Sequence, residues 1–313
     1  MEPAIYILAE PKNGLFDGLD PEELSAAHPA WADDARRFGP WSKTVIPDKT
    51  GPDAVMSAWR SEAAAGNSAS LICGRCLSTM DGLRYLIDAL DLSPWESLMA
   101  TEQKQGRGQR ERIWISPPGN LYLSWYWPEP GKIQNAAPGW NPMTSLLAGE
   151  LTAAALESFG AEVRIKWPND LLVNNKKVCG ILVENRGGRL IVGIGLNLAF
   201  APPKQGLRDM YAVPAASLYE SGFKITPLEF WLRLAETGRS RFYHLITTIA
   251  PEAFVEILNR RLAWKGDNVT IRKSDGEAYT AKIQGLSQDG GLVISRQGNP
   301  EIIYTGSILP KDS

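Results

Sequence analysis

Polar residues that are costly to bury interrupt a series of short apolar runs in residues 164–197. One run closes with Pro168, Asn169 and Asp170, and Lys177 follows near the start of the next run. Because proline removes a backbone donor from a β-ladder, we expect the first strand to end at Pro168. The carboxylate, the amide and the ammonium then lie at strand ends and turns, where a rigid scaffold presents functional groups.

The Asn174-Asn175 pair separates two of these apolar runs, residues 171–173 and 178–183. Asparagine tolerates the positive φ that a two-residue hairpin turn requires, so the two runs should form the arms of a β-hairpin. A further apolar run over residues 191–198 predicts another strand. This arrangement places Lys177 close to a turn at the edge of a sheet.

A segment rich in glycine and arginine lies upstream, where Gly106 and Gly108 flank Arg107. Glycine lets the backbone approach a ligand closely and adopt conformations closed to other residues. Arg107, Arg110 and Arg112 fall within one short stretch, and guanidinium groups match carboxylate and phosphate oxygens with paired hydrogen bonds. The pattern is typical of a loop that closes over a polyanion such as a nucleotide.

The composition indicates a globular protein with a sizeable core, since 44% of the 313 residues are hydrophobic and 22% are charged. Length alone suggests about two domains. The formal net charge of −2 gives no electrostatic reason to expect a nucleic-acid partner. We also expect no membrane partner, since no segment approaches the roughly 18 continuous apolar residues of a membrane helix. The absence of a basic N-terminal start and the odd count of 3 cysteines favour a cytoplasmic protein.

The pattern of strands and helices over residues 68–262 predicts an α+β domain, with a mixed sheet and helices on one face of the sheet. Ser78 or Thr79 is expected to cap a helix over residues 78–90, in which apolar residues recur at helical spacing. The other elements predicted in this part are a strand over residues 70–76 and helices over residues 142–159, 228–249 and 251–259.

The two ends of the chain differ from this central part. Residues 1–67 form an extension whose role the sequence leaves open, with a strand over residues 5–8 and helical composition over residues 53–65. The extension is acidic and shows no helix-turn-helix pattern, which argues against DNA reading. Residues 263–313 predict a small β domain, with strands over residues 269–272, 278–286, 291–295 and 301–305.

Several short motifs follow one another in a definite order along the chain. They are Ser78-Thr79, Gln103, Gly106-Arg107-Gly108, Trp114, residues 119–124, residues 166–170, Lys177, Gly180, Glu184, Gly193, Gly195 and Asn197. This set resembles the motifs of biotin protein ligases over roughly residues 68–200. The resemblance implies a biotin/lipoate ligase-like fold with no winged-helix repressor domain, and it extends to an SH3-like barrel over residues 263–313.

The resemblance also implies a reaction in two steps that uses ATP and biotin. The carboxylate of biotin attacks the α-phosphate of ATP and releases pyrophosphate, and the mixed anhydride then acylates a lysine of a biotin carboxyl carrier domain. Cations must offset the repulsion between the two anions, which implies catalytic roles for Lys177 and Arg107. Asp170 is the third implied catalytic residue, and it would hold Mg²⁺ directly or through water, with Glu184 as a weaker candidate.

Each substrate has an implied set of binding residues. The biotin set supplies polar partners for the ureido ring and apolar walls for the rest of the ligand, and consists of Ser78, Thr79, Gln103, Arg107, Tyr122 and Gly180. The nucleotide set supplies cations, a ring wall and amides that can match an adenine edge, and consists of Arg110, Arg112, Trp114, Asn169, Lys177 and Asn197.

The sequence leaves two other functions open. A lipoate or octanoate ligase or transferase shares the fold, and fold does not determine function. The second alternative is a non-catalytic module that binds biotin. It is favoured by two departures from the family pattern, because Met80 replaces an asparagine and Glu111 replaces a glycine. We expect these changes to weaken biotin binding, and an ordinary tight affinity in a calorimetric titration would contradict that hypothesis.

Two further features are open to interpretation. Cys73 and Cys76 have the spacing of a metal or redox half-site, but the chain contains no second pair of cysteines or histidines at such spacing. We therefore interpret both cysteines as structural. The sequence is also compatible with a homodimer that forms through the edge of the sheet.

Overall fold

The computed structural model describes residues 1–12, 14–63, 66–109, 112–203, 213–273 and 275–311. The strands are β1 Ile5–Leu8, β2 Trp41–Pro47, β3 Val55–Ser61, β4 Ser70–Cys76, β5 Ser97–Gln103, β6 Leu121–Tyr126, β7 Arg164–Lys166, β8 Asp170–Val173, β9 Lys176–Arg186, β10 Arg189–Leu196, β11 Asn268–Arg272, β12 Ala278–Leu286, β13 Leu292–Arg296, β14 Asn299–Ile303 and β15 Ser307–Pro310. The helices are α1 Pro21–Ala27, α2 Pro29–Arg37, α3 Thr79–Ala89, α4 Thr144–Glu157, α5 Pro227–Arg233, α6 Arg239–Thr248 and α7 Pro251–Arg261.

The contacts within the chain divide it into two compact units. The first unit contains residues 1–128, 179–201 and 217–239, and the second contains residues 129–178, 202–216 and 240–313. None of the helices in the described ranges combines the length and the apolar character needed to cross a membrane.

The first unit is built on a mixed sheet, which has the strand order β2-β3-β1-β4-β5-β6-β10-β9. Strand β4 runs parallel to both β1 and β5, whereas the other neighbours in this order are antiparallel. The N-terminal 67 residues therefore contribute three strands to the same sheet that carries the motifs of the central segment. The predicted strand over residues 5–8 is confirmed as β1.

Helices pack on both faces of this sheet. Leu71 of β4 and Leu98 of β5 belong to a buried apolar cluster with Leu83 of α3. Successive residues of a strand point to opposite faces, so Ser70 points away from that cluster, and its hydroxyl accepts a 2.8 Å hydrogen bond from Trp231 of α5. The mixed α+β sheet is confirmed, and its helices lie on two faces rather than on the one expected.

The helical prediction for residues 53–65 is wrong, because Val55–Ser61 forms strand β3. Met56 and Ala58 are buried on alternate positions, and β3 pairs with β1 on one side and β2 on the other. Burial between two neighbouring strands outweighs the modest helix propensity of this alanine-containing segment.

A buried carboxylate joins α2 to the start of α5. Asp34 is fully buried, and it accepts hydrogen bonds from the hydroxyl of Thr226 and, at 2.8 Å, from the backbone N–H of Leu228. Thr226 is the N-cap of α5 but makes no side-chain cap of its own. Asp34 therefore satisfies one of the N–H groups that the first turn of a helix leaves without a partner.

We expect this carboxylate to make the stability of the fold depend on pH. Burial raises the pKa of Asp34 to about 7 from 3.8, although the hydrogen bonds from Thr226 and Leu228 act in the opposite direction. The folded state then holds the proton more tightly than the unfolded state, so the stabilisation is complete below about pH 4 and is lost as the pH rises towards 7. We expect Asp34→Asn to remove on the order of 2 kcal/mol of this pH dependence between pH 5 and 8.

Urea unfolding at pH 5 and pH 8 measures the effect. Asp33→Asn is a matched control, because Asp33 is the neighbouring exposed aspartate and pairs with Arg36 on the surface. An Asp34→Asn protein with the same pH slope as the parent would show that Asp34 is ionised throughout.

The second unit contains the turn of the predicted hairpin and the small C-terminal sheet. Asn174 and Asn175 turn the chain between β8 and β9 with φ of 50° and 59°, as predicted from their tolerance of positive φ, and β8 also pairs antiparallel with β7. The C-terminal sheet has five antiparallel strands in the order β14-β13-β12-β11-β15, with Val269, Ile271 and Ile283 buried inside. This small sheet is consistent with the expected SH3-like domain.

Candidate active site

The start of α3 places two hydroxyl groups at the end of β4. Ser78 is the N-cap of α3 and accepts a hydrogen bond from the N–H of Met80, as the sequence predicts. Thr79 is the first residue of the helix, and both residues are buried. The capping geometry therefore holds a pair of polar groups in a fixed position inside the first unit.

A hydrogen-bonded set of side chains surrounds Thr79. The oxygen of the Gln103 amide accepts from the Thr79 N–H at 2.9 Å, and the nitrogen of the same amide donates to Ser116 at 3.0 Å. The hydroxyl groups of Thr79 and Ser124 lie 2.8 Å apart. These groups offer both donors and acceptors in a small volume, which suits a ligand that itself carries N–H and C=O groups side by side.

The sequence predicted Ser78, Thr79 and Gln103 as site residues but did not assign roles to Ser116 and Ser124. Ser124 occupies an alternate position of β6, so its side chain lies on the same face as that of Tyr122. A period-two count along the strand Leu121–Tyr126 could have identified it once the inward face was known. No local signal identifies Ser116.

Glycines form the floor of this face of the sheet. Gly195 of β10 lies opposite Tyr122 and Gly180, and Gly193 lies opposite Ser124. A Cβ atom on Gly193 would lie 2.7 Å from the sulfur of Met80, and one on Gly195 would overlap the indole of Trp114. Met80 and Trp114 thus pack directly on the glycine backbone, and any side chain at Gly193 or Gly195 would displace them.

Tyr122 can serve this site only as an apolar wall. The side chain is buried, and its hydroxyl donates a 2.6 Å hydrogen bond to the carbonyl of Pro117. Burial raises the pKa of this phenol above its usual value, so it stays protonated and committed to that carbonyl. Its side chain lies on the same face of the sheet as Gly195, and its role as a wall of a ligand pocket remains a prediction.

The glycine and arginine loop folds back on the residues that follow it. Trp114 donates a backbone hydrogen bond to the Gly106 carbonyl at 2.8 Å, and Gly108 donates one to the Arg112 carbonyl at 2.7 Å. Arg107 forms an isolated β-bridge with Ile113. Arg112 is thus placed at the base of the loop, whereas the predicted nucleotide ligand Arg110 and the unusual Glu111 lie outside the described residues.

Arg107 is held by a carboxylate that the sequence did not single out. Its two terminal nitrogens donate to the two oxygens of Asp81 at 2.8 and 2.9 Å. Glu184, the weaker metal candidate, accepts a hydrogen bond from Arg84 at 2.8 Å. Arg84 and Asp81 both lie on α3, so the helix that carries Thr79 also anchors the arginine loop.

In the second unit, two lysines converge on one buried carboxylate. Lys177 lies 2.6 Å from one oxygen of Asp170, and Lys166 lies 2.7 Å from the other. Burial would raise the pKa of Asp170, but the two ammonium groups outweigh it and lower the pKa to about 2. The structure therefore joins the predicted catalytic residues Lys177 and Asp170 and adds Lys166.

The backbone also holds Lys177 in place. Its N–H donates to the carbonyl of Pro214 at 2.8 Å, and its own carbonyl accepts from Ala216 at 3.0 Å. The backbone of Lys177 is thus hydrogen-bonded to residues outside the hairpin. This reduces the freedom of its side chain to move away from Asp170.

Asn169 and Trp167 occupy the turn that precedes Asp170. Trp167 is buried, and its indole N–H donates to the carbonyl of Gly290 at 2.9 Å, as expected of a packing residue. Asn169 is half-buried at the end of the turn, one residue from the carboxylate that binds both lysines. Its predicted contact with a nucleotide remains a prediction.

The segment after Asn197 is fixed by a buried asparagine that the sequence left without a role. The side-chain oxygen of Asn120 accepts hydrogen bonds from three successive N–H groups, those of Leu198, Ala199 and Phe200, at 2.9, 3.0 and 3.0 Å. Asn197 itself is buried at the end of β10, and its carbonyl accepts from Leu218 at 2.8 Å. This network fixes the backbone at Asn197, whose predicted contact with adenine remains a prediction.

The placed residues do not fit the expected Mg²⁺ site. Both oxygens of Asp170 already bind ammonium groups, which would repel a divalent cation at the same carboxylate. Among the described residues, no group of three or more His, Cys, Asp or Glu side chains is arranged to hold a metal ion. Asp170 is therefore not a ready ligand for Mg²⁺ in this arrangement.

Comparison with known proteins places this geometry in a family. Residues 75–200 match the model of the biotin/lipoate A/B protein ligase family. A biotin–[acetyl-CoA-carboxylase] ligase from Paracoccus denitrificans is 30% identical over 240 residues, which cover 71% of this chain and 95% of that protein. The bifunctional ligase/repressor BirA from Escherichia coli is 42% identical over 125 residues, 37% of each chain.

A solved structure agrees with the sequence relatives. The biotin protein ligase from Aquifex aeolicus, determined in complex with biotin and ATP, superposes with a TM-score of 0.62 at 26% identity, over 76% of this chain and 97% of that one. The shared fold and the near-complete coverage of the Paracoccus ligase lead to one conclusion. This chain belongs to the biotin protein ligase family.

Proposed function

We propose that this biotin protein ligase activates biotin with ATP as biotinyl-5′-AMP and then transfers biotin to a lysine of a biotin carboxyl carrier domain. The observation that carries the proposal is the polar set at the start of α3, where Thr79, Gln103 and Ser124 combine donors and acceptors. That set lies beside a floor of glycines, on which Trp114 rests. A ureido ring and an apolar ring system call for these two surfaces side by side.

The glycine floor accounts for the remaining predicted biotin contacts. Gly180, Gly193 and Gly195 share one face of neighbouring strands, and the lack of a side chain at Gly193 and Gly195 lets Met80 and Trp114 pack close to the sheet beside the polar set. Tyr122 supplies an apolar wall on this face, since its hydroxyl is already bonded to Pro117. We assign Ser78 to the polar end of the same pocket.

The second set of groups matches the phosphate chemistry. The attack of a carboxylate on a triphosphate brings two anions together, so fixed cations aimed at the transferring phosphorus stabilise the transition state. Lys177 supplies that charge, and Asp170 orients it through a 2.6 Å ion pair. Lys166 stays paired with Asp170 when Lys177 turns towards a substrate, so the buried carboxylate keeps a cationic partner. We assign Arg112, Trp114, Asn169 and Asn197 to the nucleotide.

The second step needs little more from the enzyme. The mixed anhydride is already reactive, so a neutral lysine amine of the carrier can attack it without a nucleophilic side chain of the ligase. Cys73, Cys76 and Cys179 are all buried, and burial raises the pKa of Cys73 well above its usual value. An acyl-cysteine intermediate is therefore not part of the proposal.

We also propose a structural role for residues 1–67 within the ligase. Strands β1, β2 and β3 belong to the sheet that positions α3, and α2 caps α5 through Asp34. We further propose that residues 68–262 are the catalytic segment and residues 263–313 the SH3-like segment. A protein that lacks residues 1–67 should accordingly be insoluble or unfolded.

A carrier-modification assay tests the proposed activity. The full chain is incubated with ATP, a magnesium salt, a biotin carboxyl carrier domain and one of three acids: biotin, lipoate or octanoate. The expected result is a mass gain of one biotinyl group on the carrier, with none on a carrier whose acceptor lysine is changed to arginine. A lipoyl or octanoyl gain instead would favour the alternative ligase. Saturable biotin binding without any gain would favour a non-catalytic module.

A further inference from the structure

Four charged side chains form a connected set of ion pairs in the first unit, and we call them the α3 charge set; Arg186 also lies 3.7 Å from one of them, Glu184. Its members are Asp81 and Arg84 on α3, Arg107 in the glycine loop and Glu184 on β9. Arg107 binds both oxygens of Asp81, at 2.8 and 2.9 Å, and lies 3.7 Å from Glu184. Arg84 binds both carboxylates, at 2.8 Å each. The guanidinium of Arg84 therefore fixes the two carboxylates that surround the guanidinium of Arg107.

Partial burial strengthens this arrangement relative to an exposed ion pair. The four side chains are between 16% and 31% exposed. Burial alone would raise the pKa of Asp81, but hydrogen bonds from Arg107 and Arg84 lower it below its usual value. The bidentate bond between Asp81 and Arg107 is thus made between full charges at neutral pH, in the geometry that best suits both groups.

The loop that carries Arg107 depends on this anchor. Gly106 and Gly108 flank the arginine, and at Gly106 a Cβ atom would overlap the carbonyl oxygen of Trp114. The backbone of Arg107 is tied to Ile113 on one side, and its guanidinium is tied to Asp81 on the other. The Nε of Arg107 is buried and has no acceptor within the described part of the chain. Asp81 therefore holds the group in place and leaves the Nε–H among the donors that can bind the oxygen of a ligand.

We propose that Asp81 is the positioning residue of Arg107 in biotin activation. Asp81 lies two residues after Thr79 on the same helix, so α3 sets the spacing between the group that receives the ureido ring and the cation that receives the acid tail. Fixing that spacing before the substrate arrives lowers the cost of reaching a reactive geometry. This inference rests on the proposed function, since it assumes that biotin is the ligand.

A double-mutant cycle tests the coupling. Asp81→Asn keeps the size of the side chain but removes the charge and one acceptor, and we expect it to lower kcat/KM for biotin at least 10-fold, chiefly through KM. In an Arg107→Ala background the same substitution should have no further effect. Asp88→Asn is the matched control, because Asp88 lies on the same helix and pairs with Arg189 at an exposed site. The control should leave kcat/KM for biotin unchanged.

A measurement without substrate separates this inference from the proposed function. Hydrogen exchange of the backbone amides of residues 104–109 should be about 10-fold faster in Asp81→Asn than in the parent or in Asp88→Asn. This difference supports the positioning role even if the parent fails to activate biotin. Unchanged exchange, an equal effect of Asp81→Asn in both backgrounds, or tighter biotin binding by Asp81→Asn would each overturn it.

Discussion

Lys177→Ala is expected to lower the rate of biotinyl-5′-AMP formation by about 10³-fold, with the fold intact. The ammonium of Lys177 lies 2.6 Å from Asp170, which holds it in a defined position. Its removal takes away a cation that offsets the charge spread over the phosphates in the transition state. Pyrophosphate release in the presence of biotin and ATP measures the rate of this step.

Lys176→Ala provides the matched control for this prediction. Lys176 precedes Lys177 on β9 and is exposed, so its loss should change the rate by no more than about 2-fold. Thermal unfolding of both variants should resemble that of the parent, since Lys166 still pairs with Asp170 when Lys177 is absent. Retained pyrophosphate release by Lys177→Ala would contradict the catalytic role.

Gly106→Ala is expected to reduce kcat/KM for biotin by about 10- to 100-fold, because overpacking of this kind costs roughly 1–3 kcal/mol. A Cβ atom at Gly106 would overlap the carbonyl oxygen of Trp114 and would lie 2.5 Å from the hydroxyl of Ser116 and 3.0 Å from the amide nitrogen of Gln103. The backbone oxygen of Trp114 cannot give way without movement of the loop. The added methyl group should therefore displace Trp114 and Gln103 together, and both were predicted to contact the substrates.

The second glycine of the loop supplies the comparison. A Cβ atom at Gly108 would meet its nearest neighbour at 3.6 Å, an ordinary van der Waals distance. Gly108→Ala should therefore change kcat/KM for biotin by no more than about 3-fold. Isothermal titration with biotin checks whether the loss in Gly106→Ala arises at binding. Equal effects of the two substitutions would indicate that backbone freedom, rather than close packing, is what the loop requires.

The sequence predicted best where the signal is local. Ser78 caps α3, Asn174 and Asn175 turn the hairpin, and Pro251 begins α7, as their residue types indicate. Each of these outcomes depends on contacts within a few residues, which the order of amino acids states directly. The motif order also placed the polar set of Thr79 and Gln103 in one site, although the two residues lie far apart along the chain.

Prediction failed where distant partners decide the outcome. Residues 55–61 form a strand because β1 and β2 lie on either side of them, and neither neighbour can be inferred from their own composition. The role of Asp81 was missed for a similar reason, since its partner Arg107 lies 26 positions away along the chain. Long-range pairing leaves no periodic trace in a single sequence.

The residue order by itself determined which chemical groups this ligase has: lysines and arginines for an anion, hydroxyls and amides for a polar ring, and glycines for close approach. Only the tertiary structure decided which partner each group obtains. Asp170 became the anchor of two lysines rather than a ready ligand for Mg²⁺, and Arg107 became bound to Asp81. The physical reason is that a charge withdrawn from water is stable only beside an opposite charge, and the fold alone decides which opposite charge lies within reach.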